Sequence, residues 1–206
     1  MGTYHTHQRI TKINPFIWAK DKTLSSEFCN HCIEKFNSDD RVYDAMAGFA
    51  IQPDLKRGKD LVISEFDDWK SEDKVFYESI HSSISEYQEY VNKNVPSYQG
   101  NVQIFKSDLI SDTGYQMQKT EPSQFYDWHS DALTINNQIR VLTFIWYLNT
   151  ITEDGYTEFW DGTKVQPEQG KLLIFPATWD FIHRGYPPKS ETKYICTGWI
   201  HYENQV

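Results

Sequence analysis

The sequence predicts an α+β protein dominated by antiparallel β-structure: a jelly roll with helices packed on its outer face. Three observations predict it. Two amphipathic helical stretches fall in the first half of the chain. From about Gly114 the pattern changes to short β-branched and aromatic runs separated by Gly, Pro and Asp turns, the spacing of a sandwich or barrel. The length of 206 residues suits one domain with a substantial core.

The first helix is read over Leu24 to Phe36, where Leu24, Phe28, Cys32 and Phe36 recur every four residues and form one apolar stripe. Ser25 or Ser26 caps it, and Glu27 lies in the first turn. Gln52 to Asp60 reads as a charged, solvated loop with Pro53 and Gly58 as breakers. Its Lys56, Arg57 and Lys59 also suit a mobile lid over a peptide. A longer helix follows from Asp68 to Val91, with Trp69, Val75, Phe76, Ile80, Ile84, Tyr87 and Val91 roughly on one stripe.

In the second half Tyr115 to Lys119 alternates, and Arg140 to Asn149 is nearly continuous, as for a strand buried on both faces. Thr157 to Trp160, Lys171 to Phe175 and Thr192 to Tyr202 complete the strands. Turns are marked by Glu153-Asp154-Gly155, Asp161-Gly162, Glu168-Gln169-Gly170 and Tyr186-Pro187-Pro188. The last strand puts Lys193, Ile195, Thr197, Trp199 and His201 on one face, and Tyr194, Cys196, Gly198, Ile200 and Tyr202 on the other. The expected organisation is a single domain over 1–206, with a helical support region and lid loop to 113 and the jelly roll from 114 to 206.

Composition narrows the function. Aromatics at 16% argue against disorder. The longest apolar run, Val141 to Leu148, is far short of a membrane span. A formal charge of −9 speaks against nucleic acid or an anionic membrane as partner. The amino-terminal residues show no apolar signal segment, and three cysteines make no disulfide framework. A reducing, cytoplasmic location is therefore expected, in a cell or in a phage-infected host. Cys29-x-x-Cys32 has no second ligand pair at zinc-ribbon spacing, and Cys32 lies on the apolar stripe, so both are assigned to helix packing. His5 and His7 are assigned no role beyond adventitious metal binding.

The sharpest local feature is Tyr126-Asp127-Trp128-His129-Ser130-Asp131. On extended backbone His129 and Asp131 point to one face. His183, 52 residues after Asp131 and read as ending a strand before a turn, completes two histidines and a carboxylate. This donor set leaves coordination positions open and suits non-haem Fe(II). Lys193, if it faces into the barrel, needs an anion, which a dicarboxylate co-substrate supplies.

His129-x-Asp131, His183 and Lys193 resemble the signature of Fe(II)- and 2-oxoglutarate-dependent dioxygenases. Tyr126, the Arg140 segment, Tyr147-Leu148-Asn149, Gly155 to Phe159, Trp199 and His201 also fall in register. Within that superfamily the chain, from about Gly114 to His201, is most similar to prolyl 4-hydroxylases of the compact viral and bacterial type, procollagen-proline dioxygenases among them. The resemblance implies a double-stranded β-helix, a jelly-roll barrel open at one end, with Fe(II) on His129, Asp131 and His183. It implies 2-oxoglutarate on Lys193 and Thr157, O2 as oxidant and ascorbate as a candidate reductant. Tyr126, Arg140, Trp199 and His201 match positions that contact the substrate, and Trp128, Trp146 and Trp199 are expected to wall a dry pocket. Thr120 stands where the family often has a Tyr holding the co-substrate, which alters that contact. The implied activity is hydroxylation of an unactivated C–H bond, with proline in a peptide or protein as substrate. The alternatives are a free amino acid or other metabolite, or a non-catalytic jelly-roll binding module. The oligomeric state is left open.

Overall fold

The structure, a computed structural model, describes residues 14–95, 110–135 and 138–202. The strands ahead of and between the helices are β1 (Trp18–Lys20), β2 (Tyr43–Asp44) and β3 (Lys59–Val62). The helices are α1 (Ser26–Ser38) and α2 (Lys70–Asn94). Then come β4 (Ile110–Asp112), β5 (Gln116–Thr120), β6 (Tyr126–His129), β7 (Thr134–Ile135) and β8 (Gln138–Tyr147). The chain continues through β9 (Thr157–Phe159), β10 (Lys164–Val165), β11 (Leu172–Pro176), β12 (His183–Gly185) and β13 (Lys193–Tyr202).

Two antiparallel sheets face each other as a jelly roll. The major sheet runs β1-β11-β8-β13-β5-β3-β2, with β4 paired to β13 and β7 to β8; the minor sheet runs β10-β9-β12-β6. Ile145, Tyr147, Phe159, Val165, Leu173 and Phe175 fill the space between the sheets. On the other face of the major sheet, Phe144, Trp146, Leu172, Ile174, Cys196 and Ile200 join one core with Cys29, Cys32, Phe36, Phe76, Ile80 and Ile84 of the helices. Strand alternation explains this division: even positions of β8 from Leu142 to Trp146 meet the helices, and odd positions from Thr143 to Tyr147 face the barrel. Gly198 is required at the closest approach, because a Cβ there would collide with the Gly114 carbonyl and the Phe144 ring.

The helices form where the stripes place them. Ser25 caps α1 by accepting from the Phe28 amide at 3.2 Å. Cys29 and Cys32 are fully buried free thiols, and burial pushes the Cys29 thiol up to about 11, which suits packing rather than redox or metal chemistry. His5 and His7 lie outside the described residues. Val75, expected on the buried stripe of α2, is exposed instead; it sits at the stripe's edge, beyond the reach of the sheet. Its place is taken by Glu72, which joins the helices through Lys35 at 2.8 Å and His31 at 2.6 Å.

The N-terminal region is more than helical. β1, β2, β3 and β4 all belong to the major sheet, so strands from both sides of residue 113 share it. β1 and β2 are too short to show a period. In β3 the charged Lys59-Asp60 precedes Leu61-Val62, and pairing with β5 supplies the hydrogen bonds that make it a strand.

Burial alone would raise the Glu72 carboxyl, but the bonds from Lys35 and His31 outweigh it and bring it down to about 2 from 4.5. A depressed carboxylate stabilises the fold above its unfolded pKa, and the contribution disappears as pH falls from about 4.5 towards 2. Glu72→Gln should therefore cost roughly 1–3 kcal/mol near pH 7 and flatten the acid limb of a melting-temperature profile. A parallel acid limb in the variant contradicts the assignment.

Candidate metal centre

The centre is made by two neighbouring strands of the minor sheet and the turn after one of them. His129 ends β6 and His183 opens β12, where the two are direct cross-strand partners. The expectation that His183 ends a strand is thus corrected: the strand starts at His183, because pairing begins only where it meets His129 and Phe159. Asp131 lies two residues past His129. One ligand atom from each of the three residues lies within 4.8 Å of the others, the only such cluster of potential metal ligands among the described residues. His129 Nε2 is 3.7 Å from Asp131 Oδ1, and His183 Nε2 is 3.6 Å from Oδ2.

The surroundings aim these atoms. His129 Nδ1 donates to the Asp127 carbonyl at 2.7 Å and His183 Nδ1 to the Phe181 carbonyl at 3.0 Å. A carbonyl only accepts, so each Nδ1 carries the proton and each Nε2 is left free to bind a metal. Asp131 Oδ2 accepts from Thr143 Oγ1 at 2.7 Å. Tyr126 stacks on His129 at 3.5 Å and 9°, and Phe175 meets His183 edge-on. Burial, followed by repulsion from His183, lowers the His129 imidazole to about 4. Burial would raise Asp131, but His183, His129 and Thr143 together hold it below the usual carboxylate range. Two neutral imidazoles and one carboxylate fit a divalent metal with open positions, and Fe(II) suits this nitrogen-and-oxygen set.

Beside the ligands a cavity of about 60 Å³ reaches Lys193, Thr157 and Thr120. Lys193 is 4% exposed and donates to the Gly155 carbonyl at 2.9 Å. No described carboxylate pairs with it, and burial lowers its ammonium from 10.5 to about 8. Asp154 and Gly155 hold this carbonyl in a turn with both φ positive, at 60° and 66°. Thr120 is the cross-strand partner of Lys193. Thr157 accepts from the buried Tyr147 hydroxyl at 2.7 Å, which leaves its own proton free for the cavity. Tyr147 was missed as a site residue; it is at an inward position of β8, and alternation alone identifies it.

The remaining candidates separate. Tyr126 lines the metal cavity; Trp199 lines both this cavity and a larger one, where Arg140 and His201 also lie. His201 is buried and bonds Ser111 at 2.9 Å. The Trp199 indole N–H lies near enough to Asp131 to favour its ionised form without closing a hydrogen bond of normal geometry. Trp128 and Trp146 do not wall the pocket. Trp128 alternates with His129 and turns to Trp160 and Arg184, while Trp146 faces the helices.

The loop from Gln52 to Asp60 is likewise not a simple solvated loop. Lys56 and Asp60 are buried and paired at 2.7 Å, and Lys56 lies 5.1 Å from the Tyr126 ring centre. Arg57 N to Phe125 O and Asp127 N to Leu55 O, both 2.8 Å, tie the loop to the segment carrying His129.

Comparison with known proteins agrees with this geometry. Residues 115–201 match the 2OG-Fe(II) oxygenase superfamily model. A comparison with curated proteins finds no match. Among solved structures, a viral collagen prolyl hydroxylase from Paramecium Bursaria Chlorella virus-1, in complex with 2OG, is similar at 19% identity. Its TM-score is 0.59, with 91% of this chain and 97% of that one covered. A prolyl-4-hydroxylase from Pseudomonas putida gives 13% identity and a TM-score of 0.59, covering 89% and 91%. A Trichoplax adhaerens prolyl hydroxylase, in complex with a hypoxia inducible factor peptide fragment, gives 14% and 0.68, covering 93% and 85%. At these identities the similarity establishes the shared jelly-roll fold.

A buried ammonium with one neutral partner destabilises the empty protein. Its folded pKa, about 8, lies below the unfolded 10.5, so the penalty is fully present below pH 8 and vanishes above about 10.5. Lys193→Met should raise the stability of metal-free protein at pH 7 by roughly 2–3 kcal/mol, a gain that shrinks as pH rises through this window. Equal stability of the two at pH 7 contradicts the reading.

Proposed function

We propose that this chain, whose residues 115–201 match the 2OG-Fe(II) oxygenase superfamily model, hydroxylates an unactivated C–H bond, with a prolyl residue in a peptide or protein as its substrate. The observation that carries the catalytic reading is the buried, carboxylate-free Lys193 in the same cavity as the His129, Asp131 and His183 ligand set. A binding scaffold has no need of both; an oxygenase that uses a dicarboxylate co-substrate needs a metal and a counter-cation in one cavity.

Fe(II) and 2-oxoglutarate together supply oxidative decarboxylation to succinate and CO2, with one oxygen atom from O2 placed on the substrate carbon. The chain's own residues position the reactants. His129, Asp131 and His183 would hold Fe(II), and Thr143 and the two main-chain carbonyls fix their orientation. Lys193 would pair with the distal carboxylate of 2-oxoglutarate, with the Thr157 hydroxyl, ordered by Tyr147, as its neighbour. Thr120, the cross-strand partner of Lys193, would contribute a hydroxyl where the related enzymes often use Tyr. Tyr126 and Trp199 would exclude water from the space where the target carbon lies. The similarity to prolyl hydroxylases, one of them solved with a bound peptide, supports the choice of a prolyl substrate.

His129→Ala or Asp131→Ala should abolish Fe(II)-dependent succinate release. Lys193→Ala should raise the 2-oxoglutarate concentration for half-maximal release roughly 10- to 100-fold, the loss of one charge-assisted pair. Mass spectrometry of proline-containing peptides after turnover checks the substrate: a gain of one oxygen on proline supports it, and turnover confined to other compounds contradicts it.

A further inference from the structure

The larger cavity, about 230 Å³, adjoins the metal cavity through Thr197 and Trp199, which line both. It has room for roughly eight waters at about 30 Å³ each, the scale of one amino-acid residue. Its lining is mixed and nearly uncharged: Val62, Leu133 and Trp199 give it apolar walls, Thr113, Gln116 and Gln138 add neutral polar groups, and among the described residues no acidic side chain lines it. Among the described residues its one full charge is Arg140.

Arg140 reaches this cavity through a defect in the sheet. Ile200 pairs with Leu142, but the next residue, His201, pairs with Arg140, so β8 carries one extra residue at Val141. This bulge reverses the alternation. Without it Arg140 would share the face of Leu142 and point at the helices; with it Arg140 joins Thr143 on the barrel side. The guanidinium then lies over Trp199, its carbon 3.5 Å from the ring centre, a van der Waals contact that favours stacking of the two planes. Among the described residues it has no salt bridge or side-chain hydrogen bond; only the fields of Asp131 and Tyr126 reach it. A guanidinium has five donors in a rigid plane that fits a carboxylate. Here they are held in one orientation by stacking and left unused.

We propose that substrate enters this cavity carrying a carboxylate, which Arg140 binds while Trp199 fixes the guanidinium plane. This rests on the oxygenase reading above and deepens it by naming the substrate's charge. The carboxylate is either the α-carboxylate of a free amino acid or chain end, or an acidic side chain next to the target residue. The overall charge of −9 gives such a substrate no long-range attraction, so recognition is local to Arg140.

The test uses acid and neutral partners of one shape on the Fe(II)-loaded protein with 2-oxoglutarate. The pairs are L-proline with L-prolinamide, N-acetyl-Ala-Pro with its amide, and N-acetyl-Ala-Pro-Glu-amide with N-acetyl-Ala-Pro-Gln-amide. Succinate release is measured for each, and calorimetric titration of the same pairs without O2 gives binding directly. The expected result is that at least one acid exceeds its neutral partner in both readouts on the order of tenfold or more. The winning pair identifies the source of the carboxylate. Arg140→Gln should bring the ratio close to one, while Arg140→Lys, which keeps the charge, should retain part of it. The ratio is taken within one sample, so partial misfolding of a variant does not mimic the effect. Equal response to acid and neutral partners, no response to any acid, or a ratio unchanged in Arg140→Gln overturns the inference. Succinate released with no added probe separates the two levels: if it is present without any acid preference, only the carboxylate site is wrong, and if it is absent throughout, the oxygenase reading fails as well.

Discussion

The cross-strand pairing of His129 with His183 is the constraint on which the site depends. Two imidazoles held opposite each other on neighbouring strands, with Asp131 two residues past one of them, converge only while β6 and β12 keep this register. A one-residue slip would turn each His to the outer face. The surroundings defend the register. Main-chain carbonyls take the Nδ1 protons, Thr143 bonds Asp131 from the opposite sheet, and Tyr126 and Phe175 pack on the rings. The buried Lys56–Asp60 pair brings the preceding loop against Tyr126. Three buried ionisable groups would be unfavourable in a fold with no use for them; together they form one donor set.

Around that centre the barrel has electrical direction. β13 carries Lys193, Ile195, Thr197 and Trp199 along one face through the metal cavity, and continues to His201 in the next. Among the described residues Lys193 is a cation with only a carbonyl partner, and Arg140, against Trp199, is a cation with no hydrogen-bonding or ionic partner. The ligand set, carrying one carboxylate, lies with Lys193 in the inner cavity. A protein with net charge −9 thus presents positive charge on both sides of its reaction space. The arrangement fits two anions brought to one metal, a dicarboxylate on the inner side and a carboxylate-bearing substrate on the outer.

Much of this was legible in the sequence because it follows from alternation. His129-x-Asp131 on extended backbone, the inward face of the last strand and the apolar stripes of both helices are periodic features, and periodicity survives in the chain. What stayed hidden arises where periodicity breaks or where distant segments meet. The bulge at Val141 decides where Arg140 points, and no local residue pattern announces it. β1 and β2 are too short to carry a period. The Lys56–Asp60 pair exists only because the loop folds back on Tyr126, so its charges read as solvated. Alternation already separates three residues: Trp128 and Trp146 fall on the wrong parity for the pocket, and Tyr147 on the right one. The family resemblance named the three residues that the structure brings together, but the lack of a carboxylate partner for Lys193 and Arg140 among the described residues, which drives the functional argument, is visible only in the folded structure.

The most direct test of the account is an anaerobic titration of the purified chain with Fe(II) and 2-oxoglutarate, followed by visible absorption. If His129, Asp131 and His183 hold the metal beside a cavity that takes the dicarboxylate, a weak metal-to-ligand charge-transfer band appears only when both are present and saturates at one iron per chain. Folded protein that binds Fe(II) and 2-oxoglutarate without such a band, or binds neither, contradicts the assignment of this cavity as the shared site.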